Sequence, residues 1–148
     1  MEKLDPNLEA QVWRRIAGQS QPEQSDLRPL LLLAWEQASV LRHLMGLLSG
    51  KSRERIKDLV GKAHRSAQAV KGIMALSGQP AGNLRPVPIP KEPARRLLEK
   101  SFHRSGRLMT EYTARAIDPE SGVVFQHLAD RERENCTALA ELIGSMEM

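Results

Sequence analysis

Apolar residues recur at helical spacing along four long stretches of the chain, which predicts four long α-helices. From the periodicity and the punctuating residues, we expect them over residues 26–49, 52–76, 94–117 and 123–146. Gly50 ends the first helix, and the turn at 118–122 separates the third from the fourth. Because the gap after the first helix is only a few residues, helices one and two are predicted to form an antiparallel hairpin.

The connection between helices two and three has a different composition. Residues 78–93 carry five of the nine prolines, and Pro alternates with apolar residues in the run PVPIP. Proline at this density excludes a helix and favours an extended backbone. The segment is long enough to travel the length of a helical bundle, which allows helix three to run parallel to helix two.

The fourth helix has two polar residues in the middle of its apolar stripe, Glu132 and Asn135. A buried stripe that includes polar residues over two turns indicates either a site or a buried hydrogen-bond network. The apolar members of this stripe are Val124, Leu128, Leu139, Leu142 and Met146.

The first helix shows a similar pattern, with Glu36 three residues after Leu33 and four before Val40. Ser39 and His43 continue the row of Glu36. The predicted apolar stripe of this helix is Leu33, Val40, Leu44 and Leu47.

Small residues stand at the middle of the other two predicted stripes. Ala63 and Ser66 lie at the centre of helix two, and Ser101 and Ser105 interrupt helix three. We therefore expect Glu36 and Glu132 to face small neutral side chains across the interior.

Upstream of the four helices, residues 7–17 form a predicted short amphipathic helix. Leu8, Val12 and Ile16 share one face, with Trp13 on its flank, and a polar linker follows. The predicted organisation is an N-terminal helical arm and linker at 1–25, packed on a bundle at 26–148.

Composition narrows the classes of fold and partner. Aromatic residues make up 3% of the chain, which favours helix on helix over a β-sandwich. The net charge of +4 is spread along the chain and does not favour a nucleic-acid binder. No apolar run is long enough to span a membrane, the start lacks a signal pattern, and the single cysteine, Cys136, suits a reducing compartment. We therefore predict a cytoplasmic protein without a membrane partner.

Four long helices with short turns inside each pair and one long connection describe a ferritin-like bundle, with a plain four-helix bundle as the alternative. The chain also resembles rubrerythrin-like members of the ferritin-like superfamily. The likeness covers residues 27–146 and is carried by WEQASVLRH, AQAVKGIMALSG, the Pro-rich connection, Tyr112 and LADRERENCTALAELIG. The leading LEAQVWRRI also looks like an N-terminal extension of small bacterial relatives.

The resemblance implies a di-iron site that reduces peroxide or oxidises iron, with ligands from all four helices. On helix one, Glu36 matches the family's glutamate, and His43 stands where the family commonly has tyrosine. On helix two, the Glu-x-x-His pair falls on Ala63 and Ser66.

On the other two helices the resemblance implies one glutamate and one further Glu-x-x-His pair. The glutamate of helix three falls on Ser105, and on helix four Glu132 is kept while Asn135 replaces the histidine. Two of six ligands therefore remain, and three positions, Ala63, Ser66 and Ser105, are vestigial.

These departures predict a non-catalytic protein with a structural or protein-binding role and no cofactor. In this hypothesis Asn135, Ser39 and the serines are candidate hydrogen-bond partners for the buried acids, and a homo-oligomer or a protein partner is the expected assembly. The alternative is a metal-binding or redox protein with a smaller set of ligands than the family's. It would hold iron, manganese or another divalent ion with Glu36, His43, Glu132 and Asn135.

Overall fold

A computed structural model describes residues 26–146, and these residues contain four α-helices and no strand. The all-α, four-helix expectation is confirmed for this part of the chain. The predicted N-terminal arm at 1–25 lies outside the described residues, as do residues 147–148. The helices are α1 (Arg28–Leu47), α2 (Gly50–Leu76), α3 (Ala94–Arg115) and α4 (Gly122–Met146).

The helix ends follow the residues that punctuate the sequence. Gly50 has a φ of +61° and starts α2 rather than ending α1, so the turn between the two helices is residues 48–49 and not 50–51 as predicted. At the other end of this hairpin, the backbone N–H of Leu27 donates to Oε1 of Gln79 at 2.9 Å. Asp26 precedes the N-cap residue Leu27 of α1, and its Oδ1 accepts a hydrogen bond from the backbone N–H of Arg28 at 3.2 Å.

The core consists of two apolar clusters, and each takes one end of every helix. The first cluster joins the start of α1 and α4 to the end of α2 and α3, with Leu31, Met74, Tyr112 and Leu128 among its members. The second joins the opposite ends, with Leu44, Ile56, Leu98, Leu139 and Leu142 among its members.

The segment between α2 and α3 has no regular structure and contacts α1. Nε1 of Trp35 donates to the carbonyl of Arg85 at 3.0 Å, and Gly82 lies against the guanidinium of Arg28. Farther along, Ile89 packs against the second apolar cluster. These contacts fix a Pro-rich strip of chain along one side of the bundle.

Of the four apolar residues predicted for the stripe of α1, Val40 and Leu44 are buried, but the rest of the predicted face is not. Leu47 is 49% exposed, His43 is exposed and the side chain of Glu36 is 43% exposed, whereas Gln37 is 2% exposed. The cause is the run of four leucines at 30–33, which covers the whole circumference of the helix and leaves the buried face undetermined by periodicity. The buried residues of α1 are Leu30, Leu31, Ala34, Gln37, Ala38, Val40, Leu41 and Leu44.

The buried residues of α2 and α3 follow helical spacing and pass through the small residues predicted at the middle of each stripe. Ala63, Ser66, Ser101 and Ser105 are all buried. On α4 the predicted Val124 and Met146 are 40% and 38% exposed, and Phe125 and Ala129 are buried instead.

Candidate functional site

The carboxyl group of Glu132 lies inside the bundle and is held by two side chains. Glu132 is 1% exposed. Its Oε1 accepts a hydrogen bond from Oγ of Ser105 on α3 at 2.6 Å, and its Oε2 accepts one from Nδ2 of Asn135 at 3.2 Å. The i, i+3 spacing places Glu132 and Asn135 one turn apart on the same face of α4. A buried hydrogen-bond network, one of the two alternatives that the sequence left open, is therefore present at this position.

Burial dominates the electrostatics of this carboxyl group. Removal from water disfavours the charged form and raises the pKa of Glu132 above 4.5. The hydrogen bonds from Ser105 and Asn135 and the positive charge of Arg131 act in the opposite direction, but they do not cancel the desolvation. The group therefore binds a proton more readily in the folded protein than in an exposed peptide.

Arg131 extends the polar contacts to α2. Its Nη1 donates to Oγ of Ser66 at 3.2 Å, and Ser66 is 1% exposed. The guanidinium thus approaches the interior beside Glu132, at the position where the family resemblance has a histidine ligand. A cation at this place disfavours the binding of a second cation.

A second polar contact joins α1 to α3. Nε2 of Gln37 donates to the carbonyl of Ser101 at 2.9 Å, and Nη1 of Arg104 donates to Oε1 of Gln37 at 2.9 Å. Nε of Arg104 also lies 3.4 Å from a carboxylate oxygen of Glu36. Burial lowers the pKa of Arg104, and the charge of Glu36 partly offsets this effect.

Tyr112 places a phenol in the same interior. Its side chain is 0% exposed, and its ring stacks with that of Phe125 at a centroid distance of 6.3 Å. Burial, followed by the nearby charge of Glu132, raises the pKa of its hydroxyl, so Tyr112 stays neutral. Buried polar atoms that have no hydrogen-bond partner among the described residues include Oη of Tyr112, Oγ of Ser101 and Oδ1 of Asn135.

The structure does not gather the four side chains predicted as a metal site. Glu132 and Asn135 are bonded to each other, but Glu36 pairs with Arg104 and His43 is exposed. Within residues 26–146, no three His, Cys, Asp or Glu side chains lie together in a group that could hold a metal ion. Ser39 donates to the carbonyl of Trp35 at 2.9 Å and is a part of its own helix turn rather than a partner of either acid.

The α4 part of the polar interior was predicted from the sequence, and the part between α1 and α3 was not. The mid-stripe position of Glu132 and Asn135 marked the α4 part correctly. Gln37 was missed because Glu36, its neighbour, was assigned to the buried row. Arg104 was not among the residues predicted for the interior, but its side chain is only 13% exposed. The signal that was available is the series Leu30, Ala34, Gln37, Leu41, Leu44, which keeps helical spacing and passes through Gln37.

Comparisons with protein-family models, with curated proteins and with solved structures give no match to this chain. In the part of the chain that the structure describes, no helix is both long and apolar enough to cross a membrane.

Proposed function

We propose that this protein is a non-catalytic bundle of the ferritin-like type with a structural, protein-binding role. The topology is argued from the two apolar clusters. The starts of α2 and α3 both lie in the second cluster, and their ends both lie in the first cluster. These two helices therefore run in the same direction. Residues 77–93 then form the long crossover, in keeping with the contacts of Arg85 and Ile89.

The observation that carries the proposal is that the polar interior is closed by its own side chains. A di-metal centre needs several carboxylates and imidazoles around two cations. Here one buried carboxylate, Glu132, is bonded to a hydroxyl and an amide, and the guanidinium of Arg131 lies beside it. This donor set does not fit two divalent ions, so we infer no metal-dependent step.

Metal analysis tests this proposal. Protein purified without chelator and then loaded with iron, manganese or zinc is expected to retain far less than one ion per chain after desalting. Its thermal midpoint is expected not to move with added metal. An ion that bound specifically to the folded state, at 100 times its Kd, would instead stabilise the protein by about 2.7 kcal/mol and raise the midpoint. Two retained irons per chain would refute the proposal. A single retained ion that is lost in His43→Ala would instead establish the alternative, a one-ion site with fewer ligands.

The protein-binding part of the proposal is supported by apolar side chains exposed at one end of the bundle. Leu76, Ile117 and Val123 are 91%, 78% and 85% exposed, and we call them the end surface. They lie at the end of α2, just after α3 and at the start of α4, which is the end occupied by the first apolar cluster. Large exposed apolar side chains at one end of a bundle favour an interaction site there. We assign this surface to a second copy of the chain, because a twofold contact needs only one kind of patch.

Light scattering across a concentration series tests this assignment. The parent protein is expected to be a dimer, and Val123→Glu is expected to raise the dimer Kd about tenfold or more, because it would place a charge in the contact. Ala140→Glu, at an exposed position of the same helix, is the control and is expected to leave the Kd unchanged. A parent protein that is monomeric at every concentration, or a dimer indifferent to Val123→Glu, would contradict the assignment.

A further inference from the structure

A groove runs between α1 and α3 on the outside of the bundle. Its volume is about 430 Å³. Apolar side chains of the first two turns of α1 form its floor, and charged side chains of both helices form its rim. The lining residues are Pro29, Leu30, Leu32, Leu33, Glu36, Arg107, Glu111 and Arg115.

The floor of this α1–α3 groove leaves apolar surface open to solvent. Leu32 is 45% exposed, and Leu33 is only partly buried. The rim carries both signs of charge, with Glu111 and Arg107 exposed along one row of α3. A groove with an apolar floor and a mixed charged rim is the surface onto which an amphipathic helix docks.

We propose that residues 7–17 of this same chain dock in the α1–α3 groove as an amphipathic helix. The chain connects residues 7–17 to the groove through a short linker. The chain enters the described structure at Asp26, three residues before Pro29 of the groove. The intervening linker of residues 18–25 spans at most about 28 Å when extended, which is enough to turn back along α1. A short tether also gives the segment a local concentration in the millimolar range.

The second argument is the residue pattern of the segment. Leu8, Val12 and Ile16 repeat at i, i+4 and i+8 and give one continuous apolar face, which matches the leucine floor. On a helical projection, Arg15 and Glu9 flank this face on opposite sides. The two sides of the groove carry opposite charges, with Glu36 on α1 and Arg107 on α3. In one of the two directions along the groove, the docked helix brings Arg15 to Glu36 and Glu9 to Arg107, which pairs unlike charges.

Hydrogen exchange of the full-length protein, read by mass spectrometry, tests the docking. The amides of residues 8–17 are expected to be protected in the parent protein. Leu32→Glu is expected to lower this protection about tenfold or more, because it puts a charge on the floor of the groove. Leu47→Glu is the matched control, since Leu47 lies on the same helix with a nearly equal exposure of 49% and outside the groove.

A second pair of variants examines the segment itself, in case Leu32→Glu disturbs α1. Val12→Glu is expected to lose protection, whereas Ala10→Glu, on the opposite side of the predicted helix, is expected to keep it. An unprotected segment in the parent protein would overturn the proposal, as would protection that survives both Leu32→Glu and Val12→Glu. Protection that disappears on dilution would also overturn it, because it would identify a second copy as the occupant.

Discussion

Replacing Tyr112 by alanine is expected to lower the free energy of unfolding by about 3–5 kcal/mol, the range for deleting a large buried ring. Tyr112 is 0% exposed, belongs to the first apolar cluster and stacks with Phe125. Its neighbours are anchored on separate helices and cannot collapse fully into the space that is left. Urea denaturation at pH 7, followed by circular dichroism, measures the change.

Tyr112→Phe separates the ring from its hydroxyl. Because the hydroxyl oxygen has no partner among the described residues, removing it is expected to change the free energy of unfolding by less than about 1 kcal/mol. A loss as large as that of the alanine variant would show that the hydroxyl, and not the ring, stabilises the core. It would contradict the assignment of Tyr112 as a packing residue.

Glu132→Gln is expected to raise the free energy of unfolding at neutral pH, on the order of 1–4 kcal/mol, because it removes a poorly compensated buried charge. Since burial raises the pKa of Glu132 in the folded state, the stability associated with its protonated form is fully present below pH 4.5. That stability is lost as the pH rises through the folded-state pKa. Unfolding curves between pH 4 and pH 8 should therefore show a decline in the parent protein that the variant lacks.

The groups that face Glu132 decide how this experiment is controlled. They are Ser105 and Tyr112 from α3, Asn135 and Arg131 from α4, and Ser66 from α2 through Arg131. A glutamine retains one oxygen for Ser105 and offers an amide to Oδ1 of Asn135, which has no partner in the described structure. Glu134→Gln, at an exposed position of α4, is expected to change stability by less than about 0.5 kcal/mol. A parent protein whose stability does not fall over this pH range would contradict the prediction.

Helix boundaries were predictable wherever the chain carries strong punctuation. Prolines before Ala94, and the pair Ser77 and Gly78 after Leu76, placed α3 and α2 to within two residues. The interior of α4 was also predictable, because Glu132 and Asn135 interrupt an otherwise apolar row. In α1 the buried face was assigned to Glu36 instead of Gln37, because the unbroken apolar run at 30–33 has no angular preference and the helical series through Gln37 was overlooked.

Partners of buried polar atoms were only partly predictable. Asn135 and Ser105 were expected to bind a buried acid, and the structure shows both bonded to Glu132. The contact between Arg104 and Gln37 joins residues that are 67 apart in sequence, and a local sequence pattern cannot predict such a contact. Long basic side chains are especially hard to assign, because their stems can be buried while the charged ends reach a polar group.

The polar contacts of Glu132 also have a consequence for helix alignment. Sliding α4 by one turn against α3 would leave most leucines in apolar surroundings, because both cluster interiors accept aliphatic side chains. The same slip would part Glu132 from Ser105 and push a carboxyl group among hydrocarbons. Aliphatic packing alone tolerates several alignments, so we expect that this one acid selects a single alignment from among them.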